Sequence, residues 1–396
     1  MEKIRYFNQD IDVEDKRVII RLDLNVPINN KKINDTTRID LCIPFIKNLL
    51  NKKAKILIIS HLGRPENIQD KKYSLEPIFE YLKTQINNNI YFYSEIIDET
   101  TREKTSFIKQ GEIILFENIR FNDGEIANDE KFAKNLSTIG EIYINDAFSC
   151  SHRKQASVHK ITKYLKNSFG GPSLIEELKS INMILNNQKK PVSCIIGGSK
   201  VSTKIGVITS LIKKIDNLII VGAMANNFIK FKGFKIGKSL VETNSSKIIE
   251  DIYKQSSIHG CNIIIPFDFA VSDSLNGKAI SRDSSNILEN EIILDIGPQT
   301  INKINEAIDK SRTLLWNGPA GYFENENFSK GTTAIAKKIS ANTNKKFLIS
   351  IVGGGDTVSA IKDIDLNLNF THLSTAGGAF LEYLEGKNLP GIEVLK

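Results

Sequence analysis

The chain has 396 residues, more than a single hydrophobic core usually organises, so two or three domains are expected. Hydrophobic residues make up 41% and charged residues 25% of the chain, which is the balance of a globular protein. The 53 basic and 46 acidic residues give a net charge of +7, and the lysines are spread along the chain. This distribution argues against a nucleic-acid-binding protein and fits a small anionic substrate.

The cysteines and the first residues indicate the cellular setting. Cys42, Cys150, Cys194 and Cys261 are far apart and form no CxxC pair, so neither a zinc ribbon nor a disulfide framework is expected. Residues 1–17 contain no apolar signal-type segment, and no uncharged stretch approaches the ~18 residues that a membrane span needs. We therefore expect a cytoplasmic protein that binds neither membranes nor nucleic acid.

Short apolar runs alternate with stretches of helical periodicity, which predicts an α/β fold with parallel sheets. Strands are predicted in the first half within residues 17–24, 54–60, 112–117 and 141–147. Those of the second half lie within residues 192–198, 217–223, 261–267, 312–317, 346–354 and 371–375. Continuous runs of four or five apolar residues are typical of strands buried on both faces.

A helix over residues 172–187 is predicted to connect the two halves. Pro172 suits a first helical turn, and apolar residues from Leu174 to Leu185 repeat at helical spacing. The sequence therefore predicts an N-terminal domain over residues 1–171 and a C-terminal domain over residues 188–388.

Polar and cationic residues follow the strands of the first half. They are Asp23, Asn25, Arg38, His61, Arg64, Arg120, His152 and Arg153. In open parallel sheets, ligands bind beyond the carboxyl ends of the strands, and arginine matches phosphate and carboxylate groups bidentately. We expect these residues to bind a small polyanion that carries both groups, with Asp23 and Asn25 facing its hydroxyl group. Taken singly, each arginine is more often a surface ion-pair partner and each histidine a structural residue; the recurrence after four strands favours the anion site.

Glycine-rich turns follow four strands of the second half, in CIIGGSKVSTKIG, LIIVGAMANNF, SIVGGGDTVSAI and HLSTAGGAFLEYL. Glycine lets the backbone approach a ligand closely, and the N–H groups at a helix start attract phosphate. The turns therefore predict a nucleotide site, with tight packing between strand and helix as the alternative.

Lys200 and Lys204 are predicted to lie in the first turns of one helix and to point the same way. Two positive charges are unfavourable at the start of a helix, and a bound phosphate would offset this effect. The alternative to a phosphate site is a pair of solvated lysines.

Other enzyme classes find little support in the motifs. No GxGxxG sequence marks a dinucleotide-binding dehydrogenase, and GFKIGKS is one residue short of a Walker A loop. No HExxH motif or Ser, His and Asp arrangement indicates hydrolysis. A nucleic-acid-binding scaffold remains an alternative, which would show steeply salt-dependent binding to long polyanions.

Nine motifs in order, from Arg21 to Gly391, resemble those of the phosphoglycerate kinase family. They are RLDLNVP, SHLGRP, LFENIRF, NDAFSCSHR, GGSKVSTKI, LDIGPQT, WNGPAGYFE, GGGDT and STAGGAFLEYLEGKNLPG. The resemblance implies two Rossmann-like domains, each a parallel sheet flanked by helices, joined by the long helix with a cleft between them. It also implies that residues 389–396 pack back against the N-terminal domain and that the protein is a monomer.

The resemblance implies reversible, Mg²⁺-dependent phosphoryl transfer from 1,3-bisphosphoglycerate to ADP, giving 3-phosphoglycerate and ATP, in glycolysis and gluconeogenesis. The N-terminal domain would bind 3-phosphoglycerate through Asp23, Asn25, Arg38, His61, Arg64, Arg120 and Arg153. The C-terminal domain would bind the nucleotide through Lys204, Glu324, Gly353, Gly354, Gly355, Asp356 and Thr357. We expect direct in-line transfer after hinge closure, in which Arg38, Lys200, Lys204, Gly354 and Gly377 stabilise the moving group. Asp356 would hold Mg²⁺ largely through the nucleotide, and Glu324 would contact the ribose.

Four residues depart from the usual family motifs: Ser149, Cys150, Ala223 and Ala376. The methyl group of Ala376 would crowd its loop if the backbone there required a positive φ or a close approach to phosphate.

Overall fold

The computed structural model describes residues 4–67, 70–186, 188–364 and 367–396. The described chain forms two compact units, Met1–Leu178 with Asn388–Lys396 (unit 1) and Lys179–Lys387 (unit 2). Each is an α/β structure built on a six-stranded parallel sheet, as the alternating sequence pattern predicts. Within these ranges, no helix is both long enough and apolar enough to cross a membrane.

The sheet of unit 1 has the strand order β5-β6-β4-β1-β7-β8, and all its pairs are parallel. Its strands are β1 (Arg17–Arg21), β4 (Lys55–Ile59), β5 (Ile90–Tyr93), β6 (Ile113–Phe116), β7 (Ile142–Asn145) and β8 (Ser168–Gly170). Strands β2 (Ile28–Asn29) and β3 (Lys32–Ile33) form a separate antiparallel hairpin. The four strands predicted from apolar runs are β1, β4, β6 and β7. The short edge strands β5 and β8 were not predicted.

Alternation along β1 explains why this sheet is covered on both sides. Val18 and Ile20 join one hydrophobic cluster, while Ile19 joins the cluster on the opposite face. The helices of this unit are α1 (Thr37–Asn51), α2 (Glu76–Gln85), α3 (Thr101–Lys104), α4 (Asp123–Ile126), α5 (Glu130–Thr138), α6 (Ile161–Tyr164), the first part of α7 (Pro172–Leu185) and α15 (Pro390–Glu393). Strand β1 pairs with β4 on one side and with β7 on the other. The strands that follow β1 in the chain therefore extend the sheet first on one side of β1 and later on the other. A ligand site is expected at such a switch point.

The sheet of unit 2 has the order β11-β10-β9-β15-β16-β17, again with every pair parallel. Its strands are β9 (Val192–Ile196), β10 (Asn217–Ile220), β11 (Asn262–Ile264), β15 (Thr313–Asn317), β16 (Ile349–Gly353) and β17 (His372–Ser374). When the strands of this sheet alone are numbered in chain order, the order is 3-2-1-4-5-6, as in dinucleotide-binding folds, with the switch point between β9 and β15. All six were predicted from the sequence.

A small antiparallel sheet, β13-β12-β14, was not predicted. It comprises β12 (Asp268–Ser272), β13 (Ile280–Asp283) and β14 (Ile292–Ile296). Three of the four residues of β13 are exposed, so this strand has no apolar run by which to recognise it. The helices of unit 2 are the rest of α7, α8 (Ile205–Leu211), α9 (Ala225–Phe231), α10 (Ser246–His259), α11 (Pro298–Lys310), α12 (Lys330–Asn344), α13 (Gly355–Asp363) and α14 (Gly378–Leu384).

Helix α7 carries the boundary between the two units, which falls after Leu178. The carboxylate of Asp146 holds its start by accepting hydrogen bonds from the backbone N–H groups of Ser173 (2.6 Å) and Leu174 (3.1 Å). The last residue of the predicted helix, Asn187, lies outside the described residues.

Candidate functional site

Arg120 is the most informative side chain at the carboxyl edge of the unit 1 sheet. It lies on the short helical turn Ile119–Phe121 after β6, and only 7% of its surface is exposed. One guanidinium nitrogen donates to the carbonyl of Gly63, but Nε and Nη2 are buried and have no hydrogen-bond partner among the described residues. Burial and the neighbouring Arg21 lower the pKa of Arg120 to about 10, which still leaves it charged at neutral pH. Because an unpaired buried cation is costly, this arrangement indicates an anionic ligand.

His61, after β4, lies among several guanidinium groups. Burial, and then the charges of Arg21, Arg120, Arg153 and Arg38, hold the pKa of His61 well below its ordinary value. His61 is therefore neutral at physiological pH, and its Nδ1 lies 3.3 Å from Nη2 of Arg21. The structure thus brings together the predicted Arg38, His61, Arg120 and Arg153.

Asp23 and Asn25 organise the loop after β1. Asp23 accepts hydrogen bonds from Nη1 of Arg38 (2.8 Å) and from the hydroxyl of Ser149 (2.5 Å). The side-chain oxygen of Asn25 accepts from the backbone N–H of Gly63 (2.8 Å), which ties this loop to the loop after β4. Ser149, one of the departures from the family motifs, is therefore accommodated by a hydrogen bond.

Arg64 and Arg153 are placed differently from Arg120. Arg64 is exposed and is not among the cations that act on His61. Arg153 is half-buried, and its Nε lies 3.1 Å from Nε2 of His152.

Arg21 was not singled out by the sequence reasoning, although it stands in the motif RLDLNVP. It ends β1, is fully buried, and donates to the hydroxyl of Ser157 (3.1 Å) and the carbonyl of Leu22 (2.6 Å). Its Nη2 also lies 3.7 Å from Sγ of Cys150. An arginine inside a run of buried apolar residues is the signal that could have found it, because arginine is almost never fully buried without a partner.

A cavity of about 570 Å³ lies in unit 2 beside the carboxyl ends of its central strands. Its walls come from the turns after β9 and β10, from β14, and from the loop that follows β15. Apolar residues and glycines make up most of the lining, which includes Gly198, Gly222, Ala223, Leu240, Phe269 and Leu294. Glu324 and Asp356, both exposed, stand among the lining residues. A space of this size and polarity suits the base and ribose of a nucleotide.

Some glycines of this site are explained by packing. A Cβ atom on Gly197 would lie 2.5 Å from the carbonyl oxygen of Pro319, and one on Gly318 would lie 2.4 Å from the carbonyl carbon of Gly197. The loops after β9 and β15 therefore touch backbone to backbone at the switch point. For these two glycines the packing alternative accounts for the residue.

The glycines at the starts of α13 and α14 include two that packing does not explain. A Cβ atom on Gly355 or Gly377 would meet no atom of the described residues within 4 Å, so open space lies next to the backbone. Gly354 has a φ of 104° and Gly377 a φ of 57°, conformations that favour glycine. Ala376 has no positive φ, so the first condition for crowding by its methyl group is not met. Crowding through a close approach of phosphate stays a prediction.

Thr357 belongs to the framework of this loop. Its buried hydroxyl accepts a hydrogen bond from the backbone N–H of Gly318 (2.7 Å). Asp356, in the first turn of α13, is exposed at the cavity. Among the residues in the described ranges, no group of three or more His, Cys, Asp or Glu side chains could hold a metal ion by itself.

The placement of the two lysines differs from the prediction. Helix α8 begins at Ile205, so Lys204 is its N-cap, and Lys200 lies just before the turn that precedes the helix. The expected pair within one helix is therefore wrong. The helix begins late because the chain first forms a turn, in which the N–H of Lys204 donates to the carbonyl of Val201 (2.9 Å).

Lys204 points inward, whereas Lys200 is exposed. Burial lowers the pKa of Lys204, and the charges of Asp356 and Glu385 act in the opposite direction. Its ammonium group donates to the side-chain oxygen of Asn317, whose own amide donates to the carbonyl of Gly353 (2.7 Å). Asn317, at the end of β15, was missed from the sequence; an asparagine that ends a buried apolar strand was the available signal.

Comparison with known proteins defines the family. A family model described as "Phosphoglycerate kinase" matches residues 8–387. The chain belongs to the phosphoglycerate kinase family. A phosphoglycerate kinase of Wolbachia sp. subsp. Drosophila simulans (strain wRi) is 42% identical over 390 residues, 98% of each chain. One of Orientia tsutsugamushi (strain Ikeda) is 44% identical over 389 residues, which cover 98% of this chain and 96% of the relative.

Solved structures of phosphoglycerate kinases share the fold. The structure from Coxiella burnetii has a TM-score of 0.88 at 38% identity and covers 98% of this chain and 97% of its own. That from Pyrococcus horikoshii OT3 has a TM-score of 0.83 at 27% identity and covers 98% of both chains. As a member of the phosphoglycerate kinase family, the chain is a phosphotransferase with a carboxyl group as acceptor.

Proposed function

We propose that unit 1 binds 3-phosphoglycerate or 1,3-bisphosphoglycerate and that unit 2 binds ADP or ATP, with phosphoryl transfer between them. The main support for this proposal is Arg120, beside Arg21 and the neutral His61: within the described part of the chain, its buried Nε and Nη2 have no hydrogen-bond partner. A ligand phosphate or carboxylate would supply the missing acceptors. Arg38, Arg64, Arg120 and Arg153 are the proposed contacts to the anionic groups, with Asp23 and Asn25 near the hydroxyl group.

The nucleotide is proposed to lie in the 570 Å³ cavity of unit 2, with its base against the apolar walls. Glu324 would contact the ribose. The open space beside Gly355 and Gly377 would admit phosphate groups to the helix starts, where backbone N–H groups point outward.

Transfer of a phosphoryl group depends mainly on positioning and on stabilising charge, so no nucleophilic side chain is required. Arg38 and Lys204 are the proposed donors to the oxygens of the moving group, with Lys200 close by. Backbone N–H groups near Gly354 and Gly377 would add further donors. Because the two proposed sites belong to different units, we propose that the units close around the substrates, with α7 as the hinge element and water excluded on closure.

The residues present fit a magnesium ion that is held mainly by the nucleotide. Asp356 is exposed at the cavity, and the described residues contain no ready-made cluster of metal ligands. Magnesium usually keeps several waters and is held by one or two carboxylates together with substrate phosphates. Bound there, it would neutralise charge on the nucleotide phosphates. Asp356 is the residue that would hold it.

The direct test is a coupled assay of ATP with 3-phosphoglycerate, with each substrate and Mg²⁺ omitted in turn. Turnover is expected only with all three present. Turnover without 3-phosphoglycerate would contradict the proposed acceptor. Steeply salt-dependent binding to long DNA without kinase turnover would favour the nucleic-acid alternative.

We also propose that the enzyme works as a monomer in the cytoplasm. Light scattering coupled to gel filtration should give a mass near the 44.4 kDa of one chain. A mass near twice that value would contradict the monomer.

A further inference from the structure

The turn over residues 201–204, which ends at Lys204, is held by a side chain about forty residues further along the chain. Oε2 of Glu242 accepts hydrogen bonds from the backbone N–H groups of Val201 and Ser202, the second at 3.1 Å. Oε1 of the same carboxylate accepts from the hydroxyl of Ser202. Three donors of one short turn thus converge on a single carboxylate.

Glu242 is itself held by the framework of unit 2. Its backbone N–H donates to the side-chain oxygen of Asn227 (2.8 Å), which also accepts from the hydroxyl of Ser245 (3.1 Å). Asn227 lies on α9 and is 2% exposed. The neighbouring Asn226 donates to the carbonyl of Leu240 (3.1 Å). Two buried asparagines of one helix therefore hold the loop from which Glu242 reaches the turn.

The turn connects Glu242 to the ammonium group of Lys204. Val201 is fully buried, its N–H is bound by Glu242, and its carbonyl accepts the N–H of Lys204 (2.9 Å). The start of α8, and with it the direction of the Lys204 side chain toward Asn317, depends on this turn. Burial would raise the pKa of Glu242, but hydrogen bonds from Ser202 and Val201 outweigh burial and lower it, so the carboxylate is ionised at neutral pH.

We propose that Glu242 is a positioning residue for phosphoryl transfer: through the turn over residues 201–204 it holds Lys204 in the place where it meets the moving phosphoryl group. The inference rests on the proposed role of Lys204. A different role for Glu242 would be to balance the charge of Lys200, which also acts on its carboxylate. Positioning needs hydrogen-bond acceptors, whereas charge balance needs a negative charge.

Two substitutions separate these roles. Glu242→Gln keeps an acceptor for the two backbone N–H groups but removes the charge, whereas Glu242→Ala removes both. We expect Glu242→Ala to lower kcat by roughly 10- to 100-fold, with a smaller change in KM for ADP, since small misplacements of catalytic groups have effects of this size. Glu242→Gln should stay within about threefold of wild type. The exposed Glu250 on α10 provides the control, because Glu250→Ala should leave kcat unchanged.

A measurement that does not depend on turnover completes the test. Competitive labelling of lysine amines as a function of pH reports the pKa of Lys204, which burial lowers in the intact protein. Glu242→Ala should shift this labelling midpoint upward toward that of an ordinary lysine, and Glu242→Gln should not. If Glu242→Ala does not fold, Ser202→Ala, which removes one of the three donors, should show a smaller shift in the same direction.

Several results would overturn the inference. Wild-type kcat and an unchanged Lys204 midpoint in Glu242→Ala would remove Glu242 from positioning. A Glu242→Gln variant as impaired as Glu242→Ala would assign the effect to charge. If the wild-type enzyme had no kinase activity, the proposed function would fail, and the labelling midpoints would still decide whether Glu242 positions Lys204.

Discussion

At the scale of single residues, the two proposed anion sites carry their charge in different ways. Unit 1 relies on buried or half-buried guanidinium groups around a neutral histidine. The proposed site of unit 2 uses the partly buried Lys204, whose ammonium group is bound to the neutral Asn317. Across the residues that the structure describes, no carboxylate pairs with Arg120 or Lys204, so both cations remain available to a phosphate.

Arg38→Ala should cut kcat by about 10²–10³-fold, as loss of a donor that stabilises developing charge typically does. The variant would also leave Asp23 without its 2.8 Å ion pair, so its thermal unfolding should be measured alongside steady-state kinetics. Arg38→Lys is the matched control, which keeps the charge without the forked geometry. Turnover like that of wild type in Arg38→Ala would remove Arg38 from the mechanism.

Lys204→Ala should chiefly lower kcat, because the ammonium group is proposed to act on the moving phosphoryl group rather than on bound nucleotide. Steady-state kinetics and ADP binding by calorimetry separate the two effects. Lys213→Ala, at an exposed position beyond α8, should change neither value. A variant with weaker ADP binding but unchanged kcat would make Lys204 a binding residue only.

At the scale of elements, buried aspartates fasten the starts of helices to neighbouring strands. Asp268, in β12, accepts hydrogen bonds from the N–H groups of Gln299 (2.9 Å) and Thr300 (2.7 Å) at the start of α11. Asp295, in β14 at the wall of the cavity, accepts from the N–H of Gly331 (2.8 Å) in α12. Asp146 does the same for α7. These contacts fix helix ends near both proposed sites.

The buried Asp295 should make unit 2 less stable as pH rises. Burial raises the pKa of Asp295 from 3.8 to about 7, so the folded state retains its proton more tightly than the unfolded chain does. The contribution of Asp295 to the free energy of unfolding is therefore fully present below about pH 4 and is lost as pH rises through about 7. The loss approaches about 1.4 kcal/mol for each unit by which the folded pKa exceeds the unfolded one.

Urea unfolding of unit 2 between pH 4 and 8 would measure this contribution. Asp295→Asn, which cannot ionise, should flatten the pH dependence, and Asp283→Asn at an exposed position should preserve it. If the free energy of unfolding changed with pH equally in Asp295→Asn and in wild type, Asp295 would not titrate in this range.

Apolar runs in the sequence predict most strands of the two parallel sheets, whereas features that depend on tertiary contacts are missed. Apolar runs located ten strands of the two parallel sheets, but β13 is mostly exposed and carries no such run. The late start of α8 depends on Glu242, about forty residues away in the chain, which no local pattern reveals. Arg21 and Asn317 each carry a local signal, a polar residue at the end of a buried apolar strand. That signal does not reveal their roles, which arise from the side chains that the fold places beside them.

At the scale of the whole molecule, the chain contributes both of its ends to unit 1. The N–H of Arg5 donates to the carbonyl of Leu395 (2.8 Å), and the N–H of Gly391 donates to the carbonyl of Ser151 (2.8 Å). Leu389, Ile392 and Leu395 are at most 2% exposed. The last segment is therefore part of the core of unit 1.

Deletion of residues 388–396 should loosen unit 1 and leave unit 2 intact. Each buried aliphatic side chain contributes about 1.5–3 kcal/mol, so the three together approach the roughly 5–15 kcal/mol that stabilises a domain. Hydrogen exchange followed by mass spectrometry should show faster exchange in β1, β4 and β7 and unchanged exchange in β9 and β15. Deletion of the exposed Lys396 alone should have no such effect. Unchanged protection of β1 after the full deletion would contradict this prediction.

The contact between Arg5 and Leu395 has a consequence for how the protein is made. A ribosome releases the chain from its N-terminus, so all of residues 179–387 emerge before the segment that completes unit 1. Unit 2 can reach its final packing as soon as its own residues are available, whereas unit 1, although synthesised first, must wait for the last turn of helix. The half of the enzyme that is translated earliest is therefore the half that matures last.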